Sequence, residues 1–135
     1  MIDFITDGLT LTIDLHSAAD SEDWARVLVE SGCNGFQGRF IAWLQTDDLL
    51  RFAKQLSYMV AELGQESTAT LGSAEPDIEI ELRQDRRGHV KGMYRFESER
   101  RNGTPTVLSG EFDMDQTYIP VLLAQVRDLA KQLRH

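Results

Sequence analysis

The chain reads as an α+β protein, an antiparallel sheet of six to seven strands with two amphipathic helices packed on one face. Apolar residues at every second position in 9–15, 36–44, 78–82, 90–96 and 108–114 put one side of each segment into a core, which is the period of a strand. In 49–63 and 119–133 the apolar spacing is three and four, the period of a helix with one buried stripe. Turn residues separate these runs, and no repeat or linker interrupts residues 1–135, so one domain is expected.

Leu9, Leu11, Ile13 and Leu15 alternate with Thr10, Thr12, Asp14 and His16 in a first strand over 9–17. The polar residues 18–23 end it, and a second strand starts at Trp24 and runs to about Val29. Asn34-Gly35 suits the positive φ angles of a two-residue hairpin into a long strand bearing Phe36, Gly38, Phe40, Ala42 and Leu44 on one side. Gln37, Arg39, Ile41 and Trp43 occupy its other side. Thr46-Asp47-Asp48 predicts a helix start, with Thr46 as the capping hydroxyl and two acids against the positive end of the dipole. The stripe Leu49, Phe52, Ala53, Leu56, Met59, Val60, Leu63 follows, with Gly64 as its stop. A short strand is expected within 65–72, and a loop over 72–76.

Residues 77–115 read as a three-stranded meander, turning at Asp85-Arg86-Arg87-Gly88 and at Asn102-Gly103. Lys91 and Arg95 would sit across from Glu79 and Glu81. A second helix begins where Asp115 or Thr117 can cap free N–H groups and Pro120 loses nothing in the first turn. It carries Ile119, Leu122, Leu123, Val126, Leu129, Ala130 and Leu133 inward.

The formal charge of −8 is concentrated at the front. Residues 1–35 hold seven acids (Asp3, Asp7, Asp14, Asp20, Glu22, Asp23, Glu30) against Arg26 alone, a net −6. Such a surface repels nucleic acid and anionic lipid and attracts a basic protein. The acidic first residues do not form a signal peptide, and no apolar run approaches the roughly 18 residues of a membrane span, so a cytoplasmic protein is expected. A lone Cys33 cannot form an internal disulfide, which fits a reducing compartment.

Chemistry-bearing patterns are missing. His16, His89 and His135 have no partner at metal-ligand spacing, and there is no Cys-x-x-Cys, phosphate loop, dinucleotide fingerprint or nucleophile elbow. Glu22-Asp23 and Asp47-Asp48 fall where water is expected, while Lys91 and Arg95 would neutralise Glu79 and Glu81. Interleaved acids argue against nucleic-acid binding by Arg83, Arg86, Arg87, Arg100 and Arg101. These observations predict no catalytic residue, no metal and no cofactor.

Three segments carry a resemblance. They are Gly35-Phe36-Gln37-Gly38-Arg39-Phe40 running through Trp43-Leu44 to Thr46-Asp47-Asp48-Leu49, then Ile78-Glu79-Ile80-Glu81-Leu82, then Phe112-Asp113-Met114-Asp115-Gln116-Thr117-Tyr118-Ile119-Pro120. In these, and in the order of its elements, the chain resembles the WapI family of immunity proteins, cytoplasmic antidotes to secreted bacterial toxins. The resemblance implies a non-enzymatic protein that binds the C-terminal domain of a cognate toxin, often a nuclease and hence basic. Asp20, Glu22, Asp23 and Glu30, with Trp24 as an aromatic anchor, are then the candidate interface residues; alternatively Trp24 is core and the acids solvate their loop. Two other readings stand beside it. One is a small-ligand module with a pocket between helices and sheet, and the other a homodimer joined through Ile41, Trp43 and Met93, rather than a monomer.

Overall fold

The computed structural model describes residues 1–73, 77–98 and 103–134, apart from the Phe4 side chain. Strands β1 (Ile2–Thr6), β2 (Leu9–Ser17), β3 (Trp24–Cys33) and β4 (Phe36–Gln45) pair antiparallel in that order as sheet A. Helix α1 (Thr46–Ala61) leads to β5 (Ser67–Gly72), β6 (Ile78–Gln84), β7 (His89–Ser98) and β8 (Thr106–Asp115), which pair in order as sheet B. A 3-10 turn at Gln116–Tyr118 enters helix α2 (Ile119–Leu133).

The α+β class, the antiparallel pairing and the two helices are as expected; among the described residues there are eight strands, close to the expected six to seven, and they divide into two four-stranded sheets. Every pairing is between sequence neighbours, so short turns determine which strands meet. The helix between β4 and β5 removes that constraint, and β5 starts a new sheet. The helices pack on each other, α2 also against β1 and β2, α1 also against β5 and β4. Inward residues of both sheets, such as Ile13, Val27, Leu44, Ile80 and Phe112, join Leu56 of α1 and Val126 of α2 in one buried cluster.

β1 was not foreseen. Its signal is Asp7-Gly8 between two apolar-alternating runs: Thr6 pairs with Leu9 across a two-residue turn in which Gly8 has φ +108°. The second expected strand runs on to Cys33, because Glu30, Ser31 and Gly32 find partners in both β2 and β4. At its end Asn34 (φ 48°) and Gly35 (φ 90°) make the expected hairpin turn. The turn expected at 102–103 and the loop at 72–76 fall partly outside the described residues; Arg100, Arg101 and His135 lie wholly outside them.

Two glycines in sheet B exist for their neighbours' rings. A Cβ at Gly92 would fall inside the ring of Phe112, its cross-strand partner, and one at Gly110 would meet the Tyr94 hydroxyl at 2.6 Å. Tyr94 stacks on Phe96 (5.3 Å between centroids), and Phe96 in turn meets Phe40 of sheet A at 6.0 Å. On the opposite side of sheet B, Glu79 faces Arg95 as expected. Lys91 instead faces Arg83 and Asp113, and Glu81 faces Met93.

Acceptors from elsewhere in the chain, three side chains and one backbone carbonyl, engage N–H groups on the four edge strands. Gln125 of α2 accepts from Asp3 N (3.0 Å) on β1, and Gln55 of α1 accepts from Thr70 N (2.7 Å) on β5. Asp77 accepts from Trp43 N (3.4 Å) on β4, while Asp113 N of β8 donates to Asp7 O (3.5 Å). Edges engaged this way resist addition of a foreign strand at those points.

Carboxylates act at the start of α1 and at the 3-10 turn that leads into α2. Thr46 is the first helical residue of α1, not its cap; Asp48 Oδ2 accepts from the N–H of Gln45, the N-cap (2.9 Å). The helix stops at Ala61 with Glu62 as C-cap, so Leu63 leaves the expected stripe and is 60% exposed. In the 3-10 turn before α2, Asp115 rather than Thr117 is the acceptor, taking Thr117 N at 2.9 Å, while α2 itself starts after Tyr118 without a side-chain cap. The Thr117 backbone N–H, and after it the Thr117 hydroxyl, hold the Asp115 carboxyl below the usual carboxylate range. Pro120 sits in the first turn as expected, and all seven inward residues of α2 are buried.

Candidate protein-binding surface

The turn between β2 and β3 gathers Asp20, Glu22, Asp23 and Trp24, but two of these acids have structural duties. Asp20 Oδ1 accepts from Glu22 N (2.9 Å) and Trp24 N (3.0 Å), closing the turn with its own side chain. Asp23 takes φ 63° and turns toward α1. Its carboxylate accepts from Thr46 N (2.9 Å) and Thr46 Oγ1 (2.6 Å), placing a negative charge at the positive end of that helix. Glu22 is exposed, and its carbonyl accepts from Gln45 Nε2 (3.2 Å).

Trp24 is half-buried and lies outside the core cluster. It begins the strand phase that continues through Arg26, Leu28 and Glu30, on the side of β3 opposite the buried Ala25, Val27 and Val29. Glu30 therefore shares a sheet face with Trp24 but stands six residues along the strand, roughly 20 Å away at 3.3 Å per residue. It is exposed, with Arg39 of β4 at 4.0 Å.

That face of sheet A carries residues beyond those five. Register places Ile41 opposite Leu28 and Trp43 opposite Arg26. The Arg26 guanidinium lies 5.6 Å from the centre of the Trp43 ring, while its Nε donates to Ser17 Oγ at 3.1 Å. Ile41 is 40% and Trp43 42% exposed. Asp3 and Ile5 of β1 and Thr12 and Asp14 of β2 continue the face. A shallow groove of about 520 Å³ crosses it, lined by Asp3, Ile5, Thr12, Glu30, Gln37 and Arg39. Arg26, in sequence only the lone base of residues 1–35, is not among the candidate interface residues, although its strand phase points to this face. Both tryptophans fall on the polar phase of their strands, where a ring finds no core.

Met93, grouped with Ile41 and Trp43 when a dimer was considered, stands on sheet B. Another groove of about 690 Å³, lined by Arg83, His89 and Lys91 together with Glu66, Asp85 and Asp113, lies at the end of sheet B and not between helices and sheet. Asp85 is committed to the local turn: the His89 and Arg87 N–H groups, each at 2.9 Å, draw its carboxyl below the usual range.

Cys33 closes β3 beside Phe36 and is half-buried. Burial, and after it a hydrogen bond with the Cys33 thiol, pushes the Tyr94 hydroxyl up to about 12. Among the described residues, no group of three or more His, Cys, Asp or Glu side chains is placed to hold a metal, and no helix is long and apolar enough to cross a membrane.

These features define a two-sheet α+β protein that presents an aromatic and acidic sheet face. The chain belongs to the immunity protein WapI-like family, which it matches over residues 1–134. No curated protein and no solved structure gives a significant match.

Proposed function

We propose that the protein is an intracellular antidote that binds the C-terminal domain of a secreted or wall-associated bacterial toxin and neutralises it without catalysis. Family membership supports the immunity role. The placement of acid carries the finer reading: the net −6 of residues 1–35 belongs to β1, β2, β3 and their turns, which build sheet A. A basic toxin domain, as a nuclease must be where it meets nucleic acid, is the complementary partner. Asp20, Glu22, Asp23, Trp24 and Glu30 contribute to its contact. In that contact Glu22 and Glu30 steer the approach, while Asp20 and Asp23 hold the turn that presents Trp24.

The test is a search of the neighbouring genes for a toxin and co-expression of the protein with that toxin's C-terminal domain. A stoichiometric complex whose association slows with added salt is expected. Glu22→Lys with Glu30→Lys should slow association and flatten the salt dependence, leaving Asp20 and Asp23 in place to preserve the fold. A wild-type protein that forms no such complex and gives no protection in the cell would overturn the proposal.

A further inference from the structure

We propose that the outward face of sheet A is the docking surface for the toxin domain, anchored by Trp43 stacked on Arg26 and flanked by Ile41. This inference rests on the immunity reading and adds a location and an energetic centre that the acidic turn alone does not supply.

The chain has two tryptophans, and neither belongs to its buried core; both stand on this face. Trp43 is 42% exposed although tryptophan is among the more buried residue types. Arg26, held between Ser17 Oγ and the ring, fixes that ring in place before any partner arrives. Tryptophan and arginine are the residue types enriched at the centres of protein interfaces, and a rigid anchor loses little freedom on binding. Because Trp43 N is already accepted by Asp77, the ring rather than the strand edge is what Trp43 offers a partner.

Size and charge fit one occupant. Four strands of 5, 9, 10 and 10 residues, about 4.8 Å apart and rising about 3.3 Å per residue, give a face of roughly 540 Å², about two thirds of the roughly 800 Å² that each partner contributes to a standard interface. The exposed residues 20 and 22 of the neighbouring turn extend it. Asp3 of β1, Asp14 of β2 and Glu30 of β3 share this face with the apolar pair Ile41 and Trp43 of the edge strand β4; against Arg26 and Arg39 they leave a net −1, which Asp20 and Glu22 of the turn carry to −3, so a basic partner is favoured. A second copy of this chain would bring the same carboxylates against one another. The outward face of sheet B offers no such centre: Glu79 faces Arg95, Lys91 faces Asp113, and Met93 stands between Glu81 and Glu111.

The experiment measures the affinity of the toxin C-terminal domain recovered by the co-expression test, in catalytically inactive form, for the wild type and for Trp43→Ala, Ile41→Ala and Met93→Ala, with thermal melts as the folding control. Trp43→Ala should raise Kd about 30-fold or more, while Met93→Ala changes it less than about threefold. Ile41→Ala should weaken binding measurably, and it keeps the test decisive if Trp43→Ala fails to fold. Wild-type binding with both sheet A variants within threefold would overturn the surface while leaving the immunity reading intact. A homodimer in sedimentation that Trp43→Ala dissociates would overturn it in favour of a second copy as occupant. Failure of the wild type to bind would remove the immunity reading and this surface with it.

Discussion

Replacing Asp23 by alanine separates the structural from the binding duty of the acidic turn. The carboxylate accepts two hydrogen bonds from Thr46, at 2.9 Å from its N–H and 2.6 Å from its hydroxyl, and Thr46 is buried. Loss of an acceptor at the start of α1 costs about 1 kcal/mol. A buried hydroxyl left without a partner adds about 1 to 2 kcal/mol. Alanine at φ 63° adds about 1 kcal/mol of backbone strain. Together these give about 3 to 4 kcal/mol. At about 2.1 cal/mol/K of unfolding entropy per residue, 135 residues convert that to a fall in Tm of about 10 to 14 °C. Asp23→Asn keeps an acceptor and tolerates the left-handed backbone, so it should lose only about 1 kcal/mol, or 3 to 4 °C. Differential scanning calorimetry measures both, and a cycle with Thr46→Val isolates the shared bonds. An Asp23→Ala protein that melts within about 3 °C of wild type would refute the reasoning and return Asp23 to the set of acids available to a partner.

Three further outcomes follow from the packing. Gly92→Ala pushes a methyl into the Phe112 ring and should destabilise by about 1 to 3 kcal/mol in chemical denaturation, with partial recovery in Gly92→Ala/Phe112→Leu; an unchanged midpoint would contradict the packing of that pair. Ser31 Oγ is buried with no hydrogen-bond partner among the described residues, so Ser31→Ala should be neutral or stabilising by about 1 kcal/mol, and a clear loss of Tm would show that the hydroxyl is satisfied. Tyr94 has its folded pKa raised to about 12 above the ordinary 10, so its contribution is intact below pH 10 and is lost as pH climbs from 10 toward 12. Tm should fall through that window in the wild type and fall less in Tyr94→Phe, with equal slopes counting against the burial of this hydroxyl.

Local pattern determined much of this protein. Alternation located the strands at 9–17, 36–45, 78–84 and 89–98, because a period of two is set by the pleat whatever the strand packs against. The three-and-four spacing of Ile119 to Leu133 marked α2 for the same reason, and Asn34-Gly35 marked its hairpin because few residues accept two positive φ angles. The acidic bias of residues 1–35 was legible as a count, and the exposure of Ile41, Trp43 and Met93 was within reach of the alternation. What sequence could not supply was each residue's partner. That Asp23 caps α1 from 23 residues away, that Arg26 lies on Trp43, and that Met93 belongs to a different sheet from Ile41 all depend on register and on which sheet a strand joins. Periodicity says which way a side chain points along its own strand. Only the tertiary structure decides what stands opposite, since that follows from long-range packing of two sheets around a shared core.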